Sequence, residues 1–324
     1  MVRLVVLFVA LVALSGCASR LAGTPTPNEQ AAREATEPLT SARGLGDLPT
    51  LDYCSLTDPK ALPDSVGPVA VAPRGSYDYC RFGLQKNGTD IEVRVGYLED
   101  AETLDGVDRT GDLRRDPPRG LKVERGKEED DYCVRFVSFT DEVALTVLAE
   151  SLEGTGENLC AVADAAVDVM IDRVLAKKVA HLTFTDRSVG RLDPCEVVTA
   201  EQAATAIGTP GATPLAYPSG HLCEWAGPDS ESTVARLYLT PGLSSYDVET
   251  TKEETFAGRH TMTTATSVES QDLAMCQVET DDAGETKGAI DEFVLIEVLV
   301  LGKGKDACGP ARALAEQVWP KLPG

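Results

Sequence analysis

The chain has 324 residues and a formal net charge of −22, and both of its halves are acidic. This charge disfavours binding to nucleic acid or to an anionic membrane surface, because both carry the same sign as the protein. The plainest interpretation of so acidic a surface is solubility, and recognition of cations or basic partners is the alternative.

The first 16 residues are typical of a secretory signal peptide. Arg3 precedes an unbroken apolar run from Leu4 to Leu14, which is too short to span a bilayer. The run ends at Leu14-Ser15-Gly16-Cys17, which resembles the lipobox of bacterial lipoproteins. The resemblance implies cleavage before Cys17 and a lipid on its sulfur, which would anchor the protein on the extracytoplasmic face of the cell membrane. The alternative is an ordinary signal peptide cut nearby, with Cys17 incidental.

Residues 17–46 hold few large apolar side chains and contain Thr24-Pro25-Thr26-Pro27 and Gly44-Leu45-Gly46. This composition is typical of a flexible linker, so we predict a lipid anchor followed by a tether. The remaining residues suit two domains, which we place at 47–186 and 187–324.

Eight further cysteines indicate an internal duplication. They form two sets of four, spaced by 26, 53 and 27 residues in the first set and by 28, 53 and 32 in the second. Their neighbours also correspond: Tyr79-Cys80-Arg81-Phe82, for example, matches Leu222-Cys223-Glu224-Trp225. We therefore predict two copies of one structural unit.

An even number of cysteines in an exported chain indicates disulfide bonds. If both copies pair internally and alike, three connectivities remain, and we favour first to second and third to fourth because those partners would lie on neighbouring elements. Each bond would contribute about 3–4 kcal/mol in the chain-entropy description. The alternative, a zinc site, usually has two cysteines at CxxC spacing, which this chain lacks. The predicted bonds are Cys54–Cys80, Cys133–Cys160, Cys195–Cys223 and Cys276–Cys308.

The second copy is predicted to run helix, two strands, irregular connection, three strands, helix. Thr199 and Gln202 form a capping-box pattern at the start of a helix that ends before Gly208. Tyr246–Phe256 is predicted as a short helix or a loop, and Asp306 caps a last helix through Val318. Strands rich in β-branched and apolar residues are predicted at 222–226, 234–239, 261–266, 274–280 and 293–301.

The first copy follows the same plan, with a weaker first helix at 58–62 and a final helix at 159–178. Its strands are predicted at 79–84, 91–97, 133–139 and 143–149, with a hairpin turn at Asn87-Gly88. Short turns between consecutive strands favour antiparallel pairing. The predicted fold class is therefore α+β, with two tandem copies of an antiparallel sheet with flanking helices, each held by two disulfides.

Several of these motifs resemble a known family. Asp193-Pro194-Cys195, the small-residue helix after it, Cys223-Glu224-Trp225 and the late cysteine pair are similar to a domain of unknown function common in actinobacterial lipoproteins. The extracellular sensor domains of some actinobacterial serine/threonine kinases are similar in plan. The resemblance covers about residues 190–320 closely and 48–180 more loosely, since Tyr53 and Phe82 replace the Pro and the Trp. It implies a disulfide-stapled cell-surface lipoprotein without a catalytic set.

The chain carries no recognisable catalytic motif. His181, His221 and His260 have no ligand residue at metal-binding spacing, and GxSxG, SxxK, P-loop and GxGxxG patterns are absent from the sequence. We therefore predict no catalytic residue, no metal site and no cofactor.

Two groups of charged residues are predicted as solvated surface. The acidic runs Glu128-Glu129-Asp130-Asp131 and Asp281-Asp282 lack the EF-hand pattern. The basic cluster is predicted as a solvated loop, with docking of an acidic partner or a phosphate-bearing polymer as the alternative; it comprises Arg114, Arg115, Arg119, Lys122, Arg125 and Lys127. Trp225 and Trp319 are predicted core residues.

Four functional hypotheses follow. The leading one is a non-enzymatic, membrane-anchored surface lipoprotein whose tandem modules bind a protein or a small ligand, with no nucleic-acid partner. The second is a carrier in which each sheet and its helices enclose an apolar pocket for a lipid or small molecule. The third is an envelope hydrolase, and the fourth is a structural accessory of a complex. A cavity of several hundred Å³ would favour the carrier.

Overall fold

The computed structural model describes residues 36–100, 103–104, 107–112, 118–152, 158–228, 233–241, 251–268, 272–281, 292–302 and 304–323. The predicted signal peptide, Cys17 and most of the tether lie outside these residues. From Pro38 onward the chain forms one compact unit. None of the helices in the described ranges has both the length and the apolar character to cross a bilayer.

The first module is an antiparallel sheet with one long helix. Its strands lie in the spatial order β1-β2-β3-β7-β6-β5-β4. Helix α1 (Ser41–Leu45) precedes the sheet and α2 (Leu159–Leu175) follows it. The strands are β1 (Val69–Gly75), β2 (Tyr79–Lys86), β3 (Thr89–Glu99), β4 (Thr110–Asp112), β5 (Lys122–Glu128), β6 (Tyr132–Ser138) and β7 (Ala144–Ser151).

The second module repeats this plan. Helices α3 (Pro194–Val197) and α4 (Ala200–Ile207) precede its sheet, and α5 (Cys308–Val318) follows it. The spatial order β8-β9-β10-β14-β13-β12-β11 matches that of the first module, strand for strand. The strands are β8 (Thr213–Ala216), β9 (Leu222–Ala226), β10 (Val234–Pro241), β11 (Thr251–Phe256), β12 (Arg259–Val268), β13 (Leu273–Thr280) and β14 (Glu292–Leu301).

Equivalent caps and disulfides strengthen the correspondence between the modules. Asp52 Oδ1 accepts a hydrogen bond from the backbone N–H of Cys54 at 3.0 Å, and Asp193 Oδ1 accepts one from Cys195 at 2.8 Å. In each module one disulfide joins such a capped turn to a strand, and the other joins a strand to the final helix. The bonds are Cys54–Cys80, Cys133–Cys160, Cys195–Cys223 and Cys276–Cys308. The predicted fold class of two disulfide-stapled α+β copies is confirmed.

Each core lies between one face of a sheet and its helices. Strand residues alternate in burial, so that Phe82 and Val147 contact the α2 side while their neighbours point away. Trp225 and Trp319 are buried in the second core, in agreement with their predicted role. The opposite face of each sheet is called the open face. It is defined by Tyr79, Arg81, Arg94 and Thr146 in the first module and by Leu222, Arg236, Tyr238 and Leu295 in the second.

The structure differs from the sequence-based elements in the tether, in one connection and in four strands. Residues 38–46, predicted as tether, fold onto the first module because Leu39 and Leu45 bury their side chains in its core. The segment predicted as helix or loop at 246–256 is strand β11 from Thr251 onward, since it pairs with β12. Strands β1, β4, β5 and β8 were not predicted. The capping box of Thr199 and Gln202 and the Asn87-Gly88 turn are present.

Candidate functional site

The open faces of both sheets line a single cavity of about 1010 Å³. Its walls are largely aromatic and aliphatic, and they include four of the eight tyrosines of the chain. A concave, mainly apolar site with a few polar groups at a domain boundary is typical of small-molecule binding. Its apolar and aromatic lining comes from Tyr79, Tyr97, Leu98, Val107 and Phe136 of the first module and Tyr217, Leu222, Tyr238, Phe293 and Leu295 of the second.

Strand alternation places these side chains. In β2, Cys80, Phe82 and Leu84 are buried in the core, so that Tyr79 and Arg81 project from the open face. In β14 the same alternation buries Val294 and Ile296 and leaves Leu295 on the open face. The same strands thus build the two cores with one set of alternating residues and line the cavity with the other set.

A β-bulge in β3 positions Tyr97. The pairing of β3 with β7 shifts register between Gly96 and Leu98, and Tyr97 adopts a φ of 50°, which is uncommon for a tyrosine. Its ring stacks on that of Tyr79 at a centroid distance of 4.9 Å. Gly96 is required at the bulge, because a Cβ there would lie 2.3 Å from the carbonyl oxygen of Asp78. Strained backbone of this kind is concentrated at functional sites.

Two carboxyl groups of the cavity wall are poorly solvated. Burial raises the pKa of Asp78, against the opposing effects of His221 and of a hydrogen bond from Ser219. Burial also raises the pKa of Glu99, which accepts a hydrogen bond from Thr146 Oγ1 at 3.1 Å. Burial raises the pKa of Tyr97 and Tyr238 as well, so both keep their hydroxyl protons at neutral pH.

Equivalent arginines occupy the centres of the two open faces. Arg94 Nε lies 2.6 Å from Glu92, and its Nη2 lies 3.1 Å from Glu150. Arg236 Nε lies 2.7 Å from Glu224 and its Nη1 lies 3.2 Å from Glu297. Each guanidinium therefore contacts two carboxylates of its own sheet.

A tyrosine from the first module contacts the second module beside the cavity. Tyr77 follows β1, yet its ring belongs to the second core and packs against Phe184 and His221. Its hydroxyl donates a hydrogen bond to Glu292 at the start of β14. Glu292 is 0% exposed and also accepts hydrogen bonds from Ser188 Oγ and from the backbone N–H of Val189.

His221 is the one predicted candidate histidine that lies against the cavity wall, beside Asp78 and Tyr77. It is 1% exposed, and its Nε2 donates to the carbonyl oxygen of Gly190 at 3.2 Å. His181 contacts Thr50 Oγ1, and His260 contacts Asp281 at 3.3 Å. The fold therefore leaves the three histidines in three separate environments.

The described residues of the two acidic runs do not line the cavity. Glu128 pairs with Arg135 at 2.8 Å and Glu129 pairs with Lys127. Glu128 also lies beside the Cys133–Cys160 bond, whose sulfurs are bonded to each other and offer no thiolate to a metal. Asp282 falls outside the described residues.

Half of the basic cluster lies in a strand and not in the loop that we predicted. Lys122, Arg125 and Lys127 belong to β5, because Val123 is buried in the first core and fixes this segment against β6. Arg114 and Arg115 lie outside the described residues. The sequence also did not single out the cavity tyrosines, although a signal was present: large apolar and aromatic residues occupy strand positions that face away from the core.

A scan against models of protein families and a search of curated proteins found no match. A search of solved structures found the crystal structure of DynU16, a protein of the dynemicin biosynthetic locus. The two chains are 13% identical over 82% of this chain and 89% of that chain. The TM-score is 0.14, a value at which the likeness carries no argument on fold or function.

Proposed function

We propose that the protein is a non-enzymatic, cell-surface binding protein that holds a small ligand with a large apolar part between its two modules. The observation that carries the proposal is the cavity of about 1010 Å³, to which both open faces contribute aromatic and aliphatic side chains. Apolar ligand surface removed from water there would gain about 25 cal/mol per Å². The tyrosine hydroxyls and the Thr146 hydroxyl would orient the ligand.

The position of the cavity distinguishes this proposal from the predicted carrier, in which each module would enclose a pocket of its own. The residues between each sheet and its helices form contiguous apolar cores, which include Met170 in the first module and Trp225 in the second. A ligand on the open faces would instead touch both modules at once. This arrangement gives the duplication a purpose, because neither copy alone supplies both walls.

The lipobox resemblance at Cys17 supports a location on the extracytoplasmic face of the cell membrane. Four disulfides agree with an oxidising compartment. A lipid anchor would hold the binding modules close to the membrane, where ligands with a large apolar part are concentrated. Both the anchor and the location belong to the proposal.

The proposal is tested with N-phenyl-1-naphthylamine, a neutral dye whose fluorescence rises in apolar surroundings. We expect saturable binding of about one dye per chain in the cavity between the two modules, whose volume of about 1010 Å³ suits a ligand of this size. Leu295→Trp places a larger side chain in the cavity and should weaken binding by about tenfold or more, which corresponds to about 1.4 kcal/mol.

Leu299→Trp is the matched control. Leu299 lies on the same strand and the same open face and is also half-buried, but it does not line the cavity. This variant should bind the dye as the parent does. If both variants bind equally well, or if the parent shows no saturable binding, the proposed function is wrong.

A further inference from the structure

The charges around the cavity limit which ligands can enter it. Among the described residues, three carboxyl groups line the cavity, on Asp78, Glu99 and Glu279, against two guanidinium groups, on Arg74 and Arg81. Arg81 also faces Glu92, at 3.7 Å. The lining therefore carries an excess of acidic groups before any ligand arrives.

The other arginines of the open faces, and Arg109, which interacts with Glu99 but lies 3.5 Å from Glu124, do not reverse this balance. Arg94 contacts Glu92 and Glu150, and Arg236 contacts Glu224 and Glu297, so these two arginines and Arg81, which shares Glu92, together face four carboxylates. An anionic ligand would have to compete with these ion pairs. Like-charge contacts in a partly desolvated site oppose binding, so carboxylates, sulfates and phosphates are disfavoured.

The aromatic lining favours positively charged ligands. The faces of tyrosine rings attract cations, most strongly where water is excluded. Tyr79 and Tyr97 form a stacked pair on one wall, while Tyr217 and Tyr238 come from the other. Tyr217 also lies close enough to Glu99 for the two to interact electrostatically across the cavity. Tyrosine rings of both modules and the Glu99 carboxyl group thus line the same cavity.

The size of the cavity and the apolar part of its lining exclude a bare inorganic ion as the main occupant. A volume of about 1010 Å³ is far larger than a metal ion needs, and Phe136, Phe293 and Leu295 offer it no ligand atoms. An apolar body would remove these side chains from water. The occupant must therefore combine an apolar part with a positively charged group.

We propose that the cavity selects an organic cation with an apolar body, such as an amphiphilic ammonium compound, over anionic and neutral molecules of the same shape. The charged group lies between Glu99 and the tyrosine rings, and the apolar body lies against Phe136 and Leu295. This inference rests on the proposed function, because it specifies the ligand class of the same site.

The test compares three competitors that share one ring system and differ in charge: 1-naphthylmethylamine, 1-naphthylmethanol and 1-naphthoate. Each displaces N-phenyl-1-naphthylamine from the full chain at neutral pH. The amine should bind about tenfold or more tightly than the carboxylate, with the alcohol between them, and added salt should narrow the difference.

Substitutions in the cavity wall separate charge selection from packing. Glu99→Gln should reduce the ratio of the affinities for the amine and the carboxylate by about threefold or more and leave the affinity for the alcohol unchanged. Arg74→Gln, at an exposed position, should increase this ratio. Glu253→Gln, an exposed position on β11 away from the cavity, is the control and should change nothing. Because two variants with opposite expected effects are used, poor folding of one does not decide the outcome.

Equal affinities for the three competitors, or tighter binding of the carboxylate, would overturn the inference while leaving the proposed function intact. Loss of binding of all three together with the dye would instead remove the proposed function. Unchanged selectivity in both Glu99→Gln and Arg74→Gln would show that the cavity charges do not select the ligand.

Discussion

Replacing Tyr77 with phenylalanine removes the hydroxyl that joins the first module to Glu292 of the second. The Glu292 carboxylate is 0% exposed and would keep only the donors from Ser188 and Val189. Hydrogen bonds to charged groups contribute about 1.5–3 kcal/mol, and a buried acceptor left short of donors carries its own desolvation cost. We therefore expect Tyr77→Phe to lower the free energy of unfolding by about 1.5–3 kcal/mol.

Tyr53→Phe is the matched control. Tyr53 is as deeply buried as Tyr77, but its hydroxyl has no hydrogen-bond partner among the described residues. Removing a buried hydroxyl without a partner costs little and can stabilise the protein. We expect an unchanged or increased free energy of unfolding in this variant.

Urea unfolding with the disulfides intact measures both effects. Far-UV circular dichroism follows both modules, as this comparison requires, because Tyr77 lies in the second core and Tyr53 in the first. The urea concentration at the midpoint of unfolding should fall in Tyr77→Phe. The slope of the unfolding free energy against urea concentration should stay unchanged. Equal midpoints for the two variants, or a loss below about 0.5 kcal/mol in Tyr77→Phe, would refute the interpretation of this contact, given the range expected for such bonds.

Three further predictions follow from the site and the anchor. Because burial raises the pKa of Asp78 in the folded protein, its contribution to stability is complete below about pH 4, the ordinary pKa of the group, and is lost as pH rises through the raised pKa. The difference in unfolding free energy between the parent and Asp78→Asn, measured in urea from pH 4 to 8, should therefore fall with rising pH, and a flat difference contradicts this. Gly96→Ala should lose about 2 kcal/mol or more in the same assay, because the added Cβ meets backbone atoms of Asp78 and Tyr79, whereas Gly88→Ala, with open space around it, should lose less. Cys17→Ala should release the protein from membranes into the soluble fraction, and retention on membranes would argue against a lipid anchor.

The sequence was sufficient to predict the disulfide framework and the central strands. In these elements the alternation of apolar and polar residues agrees with the burial that the fold imposes. The strands that carry Cys80, Cys223 and Cys276 alternate apolar and polar residues, and each is half-buried as that pattern requires. Matching surroundings of the cysteines limited the pairings. Pattern and spacing together therefore led to the correct fold class.

The strands at or next to the edges of the first sheet could not be predicted in the same way. Almost all of β1 is exposed, including Val69 and Val71, so it has no alternation to detect. Strand β5 is mainly charged and resembles a loop in composition. Strand β1 is held by backbone pairing with β2, and β5 pairs with both β4 and β6 around the single buried Val123. Backbone pairing has no signature in single-residue hydrophobicity.

The cavity could not be located from the sequence because it depends on how the modules pack. Tyr77 stands between two strands of the first copy, yet it is buried in the core of the second. Residues such as Leu295 and Tyr238 could equally have faced solvent or a partner in an isolated module. The open faces become a site only when this contact brings the modules together.

The most direct test of the account is ligand protection of an engineered thiol. Since the eight cysteines other than Cys17 are disulfide-bonded, Thr146→Cys in a Cys17→Ala background introduces a single free thiol in the cavity wall. We predict that saturating N-phenyl-1-naphthylamine slows maleimide labelling of this thiol and leaves that of Leu299→Cys, outside the cavity, unchanged. Equal labelling rates at Thr146→Cys with and without the bound dye would contradict the placement of the ligand between the two sheets.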